Sequence, residues 1–151
     1  MTPRCLVLIL FVGLLISLGL SGGCAISPSS TPQPGATPVV TAAVPVISVQ
    51  DASNLIQNNK ANPDFIIIDV RTADEFNSGH LAKAVNMDYS SSDFKSNVDK
   101  LDRNKEYLIY CQTGIRGAAA TQIMLDLGFT KVHNLSGGIV QWLNAGYPTL
   151  K

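Results

Sequence analysis

The sequence lacks an excess of charge of either sign. Eleven lysines and arginines stand against eleven aspartates and glutamates, scattered along the chain rather than clustered. Without a basic patch there is no footprint for nucleic acid, and without an acidic run there is no solvating tail. Cysteine is also scarce: three occur, at 5, 24 and 111, and only Cys111 lies beyond the N-terminal quarter. A disulfide within the folded region is therefore excluded. No cluster of His and Cys has metal-ligand spacing, so no metal and no cofactor are expected. No internal repeat is present. What remains is one ordinary domain of 151 residues with 46% apolar content.

Much of that apolar content sits where no core can use it. Met1 to Arg4 form a short positive segment, and Cys5 to Leu20 carry no charge. Leu20-Ser21-Gly22-Gly23-Cys24 follows, completing the three-part pattern of an export signal. The cysteine after small residues resembles a bacterial lipoprotein lipobox. That resemblance implies a signal peptide over 1–23, a mature chain starting at Cys24, and lipid on Cys24. Several acyl chains anchor stably where a single chain is marginal. Two other fates are open: an uncleaved anchor, and a cleaved product without lipid. The sixteen residues from Cys5 to Leu20 give roughly 24 Å of helix, short of a hydrocarbon core of about 30 Å. Residues 24–45 then hold Pro28, Pro32, Pro34, Pro38 and Pro45 among Ser, Thr, Ala and Gly. They read as an extended linker with an upper reach of roughly 65 Å. The expected location is the bacterial cell envelope, with the domain on a tether facing the periplasm or exterior.

Residues 46–151 carry the domain. Ile47 opens a short strand, and Ser48 with Asp51 caps a helix whose apolar face is Val49, Ala52, Leu55 and Ile56. The run Phe65–Val70 is apolar except for Asp69, the pattern of a parallel strand covered on both faces. Thr72 and Glu75 make a capping box for a short helix that Gly79 stops. Short strands are expected over Ala84–Met87 and Lys131–Leu135, and a buried one over Tyr107–Tyr110. Helices are expected with Phe94, Val98 and Leu101 on one face, over Ala118–Leu127 with Gly128 just beyond, and over Ile139–Asn144. Strands alternating with helices predict an α/β class with a parallel sheet, in which ligands bind beyond the carboxyl ends of the strands. Cys111 falls at one such end.

The chemistry concentrates in Cys111-Gln112-Thr113-Gly114-Ile115-Arg116. A strand runs into the thiol, and a helix of small residues follows. Helix-start amides favour negative charge, Arg116 adds a cation, and Gly114 and Gly117 permit close backbone approach. Such a turn suits a thiolate nucleophile or a bound oxyanion. The plain alternative is an inert cysteine buried at a strand end. Asp69, interrupting an apolar run, needs a partner if buried. Arg71 either pairs with it or lines the pocket mouth. Glu75 is most simply the capping residue, and His80 a structural hydrogen-bonding residue rather than a base. His133 falls in an edge-like strand with no assigned role. Trp142 reads as core or pocket wall, and Gly137-Gly138 as the turn before the last helix.

Three segments together resemble the rhodanese domain, a sulfurtransferase family: Asp69-Val70-Arg71 with Glu75-Phe76, Gly79-His80-Leu81, Ala84 and Asn86; the Cys111–Arg116 loop; and Leu135, Gly137-Gly138, Trp142, Gly146 and Pro148. The resemblance spans about residues 46–150. It implies a single rhodanese-like domain of three layers, a five-stranded parallel sheet flanked by helices. It also implies a catalytic Cys111 that takes a sulfane sulfur as a persulfide, a surrounding loop of Gln112, Thr113, Gly114, Ile115 and Arg116, and supporting Asp69 and Arg71. The implied partners are a small-molecule sulfane donor such as thiosulfate and a cyanide or thiol acceptor; separately from the resemblance, a monomer is expected. Gln112 is neutral where the family is often basic, so a dianion such as thiosulfate meets less positive charge. Some enzymes related to rhodaneses, phosphatases and arsenate reductases, enclose a tetrahedral oxyanion in a loop one residue longer. The four residues between Cys111 and Arg116 suit a sulfur atom instead. A non-catalytic, envelope-tethered binding or sensing module is the remaining alternative.

Overall fold

A computed structural model describes residues 43–151. The export signal, Cys24 and almost all of the linker lie outside the described residues. Among the described residues, no helix is long and apolar enough to cross a membrane.

Five strands form one wholly parallel sheet: β1 (Val46–Ile47), β2 (Phe65–Asp69), β3 (Ala84–Asn86), β4 (Glu106–Tyr110) and β5 (Val132–Leu135), in the spatial order β1-β5-β4-β2-β3. Between them run α1 (Val49–Asn58), α2 (Ala73–Ser78), α3 (Phe94–Asp99), α4 (Ile115–Asp126) and α5 (Gly138–Asn144). The α/β class and the five-stranded sheet agree with the sequence. The two-residue repeat of a strand explains the layering. In and just after β4, Tyr107, Ile109 and Cys111 face a core closed by Val98 of α3 and Ala120 and Met124 of α4. Leu108 and Tyr110 face the opposite core, built with Ala52 of α1 and Ile139 and Trp142 of α5. An apolar run is needed here because neither face of β4 meets water.

The caps behave as their chemistry requires. Ser48 Oγ accepts from the Asp51 N–H at 3.1 Å, and Thr72 forms a full reciprocal box with Glu75. Gly79 and Gly128 follow α2 and α4 with positive φ of 155° and 89°. Three expectations need correction. The helix after Cys111 begins at Ile115, not Ala118, because left-handed Gly114 turns the chain directly into it. Leu101 lies beyond the end of α3, half-buried against the core rather than on the helix face. His133 is not on an edge: β5 lies between β1 and β4, and the edge on that side is the two-residue β1.

Candidate active site

Strand β4 ends at Tyr110, and Cys111 follows at its carboxyl end, 1% exposed. The chain must then reverse into α4 within three residues. Gly114 makes this possible with φ of 93°, a left-handed conformation costly for a residue with a Cβ. The turn aims the Gly114 N–H at the sulfur, and it donates to Cys111 Sγ at 3.1 Å. Because α4 starts at Ile115, the reversing loop is only Gln112–Gly114. Ile115 and Arg116 belong to the first helical turn. Ile115 points outward, 77% exposed.

A second turn clamps the first. Ile139 donates its N–H to the Cys111 carbonyl at 2.9 Å, and Val140 donates to that of Gln112 at 3.1 Å. Gly138 lies so close that a Cβ there would collide with both carbonyl oxygens. Gly137-Gly138 is thus a turn, as expected, but it also brackets the cysteine loop. Asn134 of β5, buried, ties the same loop by donating Nδ2 to the Gly114 carbonyl at 3.2 Å.

Two ion pairs frame the site. Asp69 and Arg71 are both buried, at 0% and 3% exposure. Arg71 Nε reaches both carboxylate oxygens at 3.0 Å and Nη2 reaches Oδ2 at 2.7 Å. Nη2 also donates to the Gly79 carbonyl at 2.6 Å, and Nη1 donates to Gln112 Oε1 at 3.4 Å. Both readings of Arg71 hold together: it pairs with Asp69 and also lines a cleft of about 280 Å³ with Glu75, Ser78, Gly79, Gln112, Ile139, Leu143 and Thr149. Burial alone would lower the Arg71 guanidinium's affinity for its proton, and the bonds to Asp69 outweigh that, leaving it raised. The second pair joins Arg116 to Glu75, Nη1 to Oε2 at 2.9 Å and Nη2 to Oε1 at 2.7 Å. Arg116 holds the Glu75 carboxyl down to about 2. Glu75 in turn raises Arg116, with a smaller contribution from Cys111 beside it.

Sequence reasoning assigned Glu75 only its cap and assigned no role to Tyr110. Tyr110 precedes Cys111, so strand alternation sends its ring to the opposite face. There its hydroxyl accepts from the Leu81 N–H at 3.1 Å, and its ring lies 5.8 Å from Arg71 Cζ. Burial, and then the Asp69 charge, push the phenol well above its usual range. The alternation was the available signal. His80 stacks on Phe76 with ring centroids 3.9 Å apart, its Nδ1 3.1 Å from the Phe76 carbonyl. His133 Nε2 meets Glu106 Oε1 at 2.9 Å, and His133 pairs in register with Leu108, three residues before Cys111. Trp142 is core, its Nε1 donating to the Pro148 carbonyl, and it also walls a separate, mainly apolar cavity beside α1. Among the described residues, no group of three His, Cys, Asp or Glu side chains is placed to hold a metal.

A lone strand-end cysteine with a backbone N–H on its sulfur and a helix starting beneath it defines a class of α/β domain in which sulfur or an oxyanion is handled by loop amides. Comparison with known families makes the assignment specific. The Rhodanese-like domain matches residues 48–145, and the chain belongs to that family. The chain is 34% identical to a Coxiella burnetii protein named thiosulfate sulfurtransferase GlpE over 86 residues, 57% of this chain and 78% of that one. It is 33% identical to thiosulfate sulfurtransferase 18 of Arabidopsis thaliana over 114 residues, covering 68% and 80% respectively. Among solved structures, a rhodanese-related protein of Thermoplasma volcanium superposes with a TM-score of 0.59 at 28% identity, covering 70% of this chain and 97% of that one. The family membership and its sulfurtransferase relatives agree with the resemblance read from the motifs.

Proposed function

We propose that the domain is a rhodanese-type sulfurtransferase that carries sulfane sulfur on Cys111. The observation that carries this reading is the 3.1 Å bond from the Gly114 N–H to Cys111 Sγ. A backbone donor fixed on the sulfur stabilises negative charge there, on the thiolate before loading and on Sγ again as it leaves when the acceptor takes the outer sulfur. The thiolate attacks the outer sulfur of the donor. A new S–S bond forms at Sγ, the donor's S–S bond breaks, and the electron pair leaves with the donor's remnant: sulfite from thiosulfate, a thiolate from an organic persulfide. Cyanide or an acceptor thiolate then attacks the outer sulfur and returns Cys111 as thiolate. Neither step needs a general base, an external oxidant or a cofactor. Gln112, Thr113 and Gly114 form the turn around the sulfur, Ile115 and Arg116 open the helix that follows it, and Asp69 and Arg71 brace it. The protein works as a monomer, tethered to the envelope by lipid on Cys24.

The test is thiocyanate formation from cyanide and a sulfane donor by the full-length chain in detergent. Turnover that vanishes in Cys111→Ser supports the reading; turnover that survives the substitution contradicts it. One observation favours a second reading, a sulfur-binding module that does not turn over: Cys111 is 1% exposed. That module would take a persulfide and pass it to no acceptor.

A further inference from the structure

The cavity beside α1 has a volume of about 350 Å³, within the range of small-molecule sites. It shares no lining residue with the cleft at Arg71 and Gln112. Ile56 of α1, Phe65 and Ile67 of β2, Leu81, Trp142 and Tyr147 supply its apolar wall. Ile67, Leu81 and Trp142 are buried members of the core, so packing holds this wall in place without a ligand. The Trp142 ring is fixed further, by its Nε1 bond to the Pro148 carbonyl at 3.0 Å and by the Tyr147 ring at 4.6 Å between centroids.

The charge of the lining has one sign. Lys60 and Lys83 belong to it, and among the described residues no aspartate or glutamate does. Lys83 Nζ donates to the Lys60 carbonyl at 2.5 Å, which leaves two of its three donors. Asp64, beside Phe65 in the chain, lies 3.6 Å from Lys105 instead. The other ion pairs among the described residues involve neither lysine, and residues 1–42 contain no carboxylate side chain. The carbonyl end of α1 brings partial negative charge to the same rim, but the carbonyls of Leu55, Asn59 and Lys60 already accept hydrogen bonds. Lys83 is also the one non-glycine residue with positive φ among those described, at 65°. Lysine there costs about 1 kcal/mol or more that glycine would avoid. The strain falls on a residue whose ammonium stands at the rim of a preformed apolar cavity.

We infer that this cavity is a second binding site, for a small carboxylate with an apolar body. The body lies against Trp142 and Tyr147, and the carboxylate meets the ammonium groups of Lys60 and Lys83. A neutral apolar molecule would leave both cations without a counter-charge, and a polar body would gain nothing from the wall. The site stands whether or not Cys111 carries sulfur.

Trp142 is the single tryptophan of the chain, so its emission reports on the cavity directly. The full-length chain in nanodiscs of zwitterionic lipid is titrated with 4-phenylbutyrate, with the neutral 4-phenylbutanol, and with acetate, which has the charge but no body. The expected result is a saturable change with 4-phenylbutyrate, an affinity about fivefold weaker for the alcohol, and no change with acetate. Lys83→Asn should roughly halve the preference for the carboxylate, and Lys83→Asn with Lys60→Gln should remove it. Unliganded emission and alcohol affinity that match the wild type show that the double variant is folded. No saturable change with 4-phenylbutyrate up to millimolar concentration overturns the inference. So does an alcohol that binds as tightly as the carboxylate, or a preference that the double variant leaves unmoved.

Discussion

Arg116 and Glu75, 41 residues apart, meet in a two-point fork, Nη1 to Oε2 at 2.9 Å and Nη2 to Oε1 at 2.7 Å. Glu75 Oε2 also accepts from the Thr72 N–H at 3.0 Å. One carboxylate thus caps α2 and fixes the arginine of the cysteine loop. The geometry of the loop depends on a helix start well away in sequence.

Glu75→Gln keeps the shape but loses the charge-assisted fork. It should lower stability by about 1.5–3 kcal/mol and slow sulfur loading by roughly tenfold through a misplaced loop. The pH dependence has a definite sign. The Glu75 carboxyl is depressed to about 2 in the folded state. Its stabilisation is therefore fully present above the ordinary carboxylate value and fades as pH falls from there toward 2. In denaturant titrations, the difference between wild type and Glu75→Gln should be constant at neutral pH and shrink across that acid window. A difference that stays flat down to pH 2 would contradict the assignment.

Asp69→Ala leaves a guanidinium buried without its partner. The expected cost is about 3–5 kcal/mol, read as a loss of thermal stability. Replacing both members, Asp69→Leu with Arg71→Met, should recover most of that stability. It should not restore loading, because the arginine that holds Gln112 and the Gly79 carbonyl is gone. Full activity in the double variant would show that the pair only holds the fold.

Two glycines separate backbone strain from crowding. Both have positive φ, 89° at Gly128 and 57° at Gly138. A Cβ at Gly128 meets nothing within 4 Å, whereas one at Gly138 collides with the Cys111 and Gln112 carbonyls. Gly128→Ala should cost about 1 kcal/mol of strain and leave loading unchanged. Gly138→Ala should cost more and reduce loading, because the carbonyls that Ile139 and Val140 hold must move. Denaturation midpoints and loading rates of the two variants, measured together, check this.

His80 tempts as a base, yet its ring lies flat on Phe76 and its Nδ1 faces a carbonyl. His80→Gln should keep the loading rate within about threefold and lower stability by about 1 kcal/mol. A loss near 100-fold, with a new pH dependence, would make it a proton carrier.

Elements that rest on local pattern were legible in the sequence. The apolar runs of β2 and β4 and the Thr72–Glu75 cap follow from short-range rules, and the three motifs placed the chain in its family. What was not legible depends on where the chain meets itself again. Glu75 could be read as a cap, because its partner is three residues away, but not as the partner of Arg116. The early start of α4 was missed because Gly114 looked like a loop residue, when its left-handed turn is what lets the helix begin. His133 looked peripheral because two-residue β1, which covers β5, carries almost no periodic signal. Asn134 gained its role only once β5 lay beside β4 and the loop that follows it, and Tyr110 only once β4 lay beside β2.

The most direct measurement is the intact mass and peptide map of the full-length chain after exposure to a sulfane donor and removal of excess. A mass gain of one sulfur atom, mapped to Cys111, lost on adding cyanide and absent in Cys111→Ser, is the predicted result. A Cys111 that gains no sulfur from thiosulfate or from an organic persulfide, or a gain that persists in Cys111→Ser, would contradict sulfur transfer at this site.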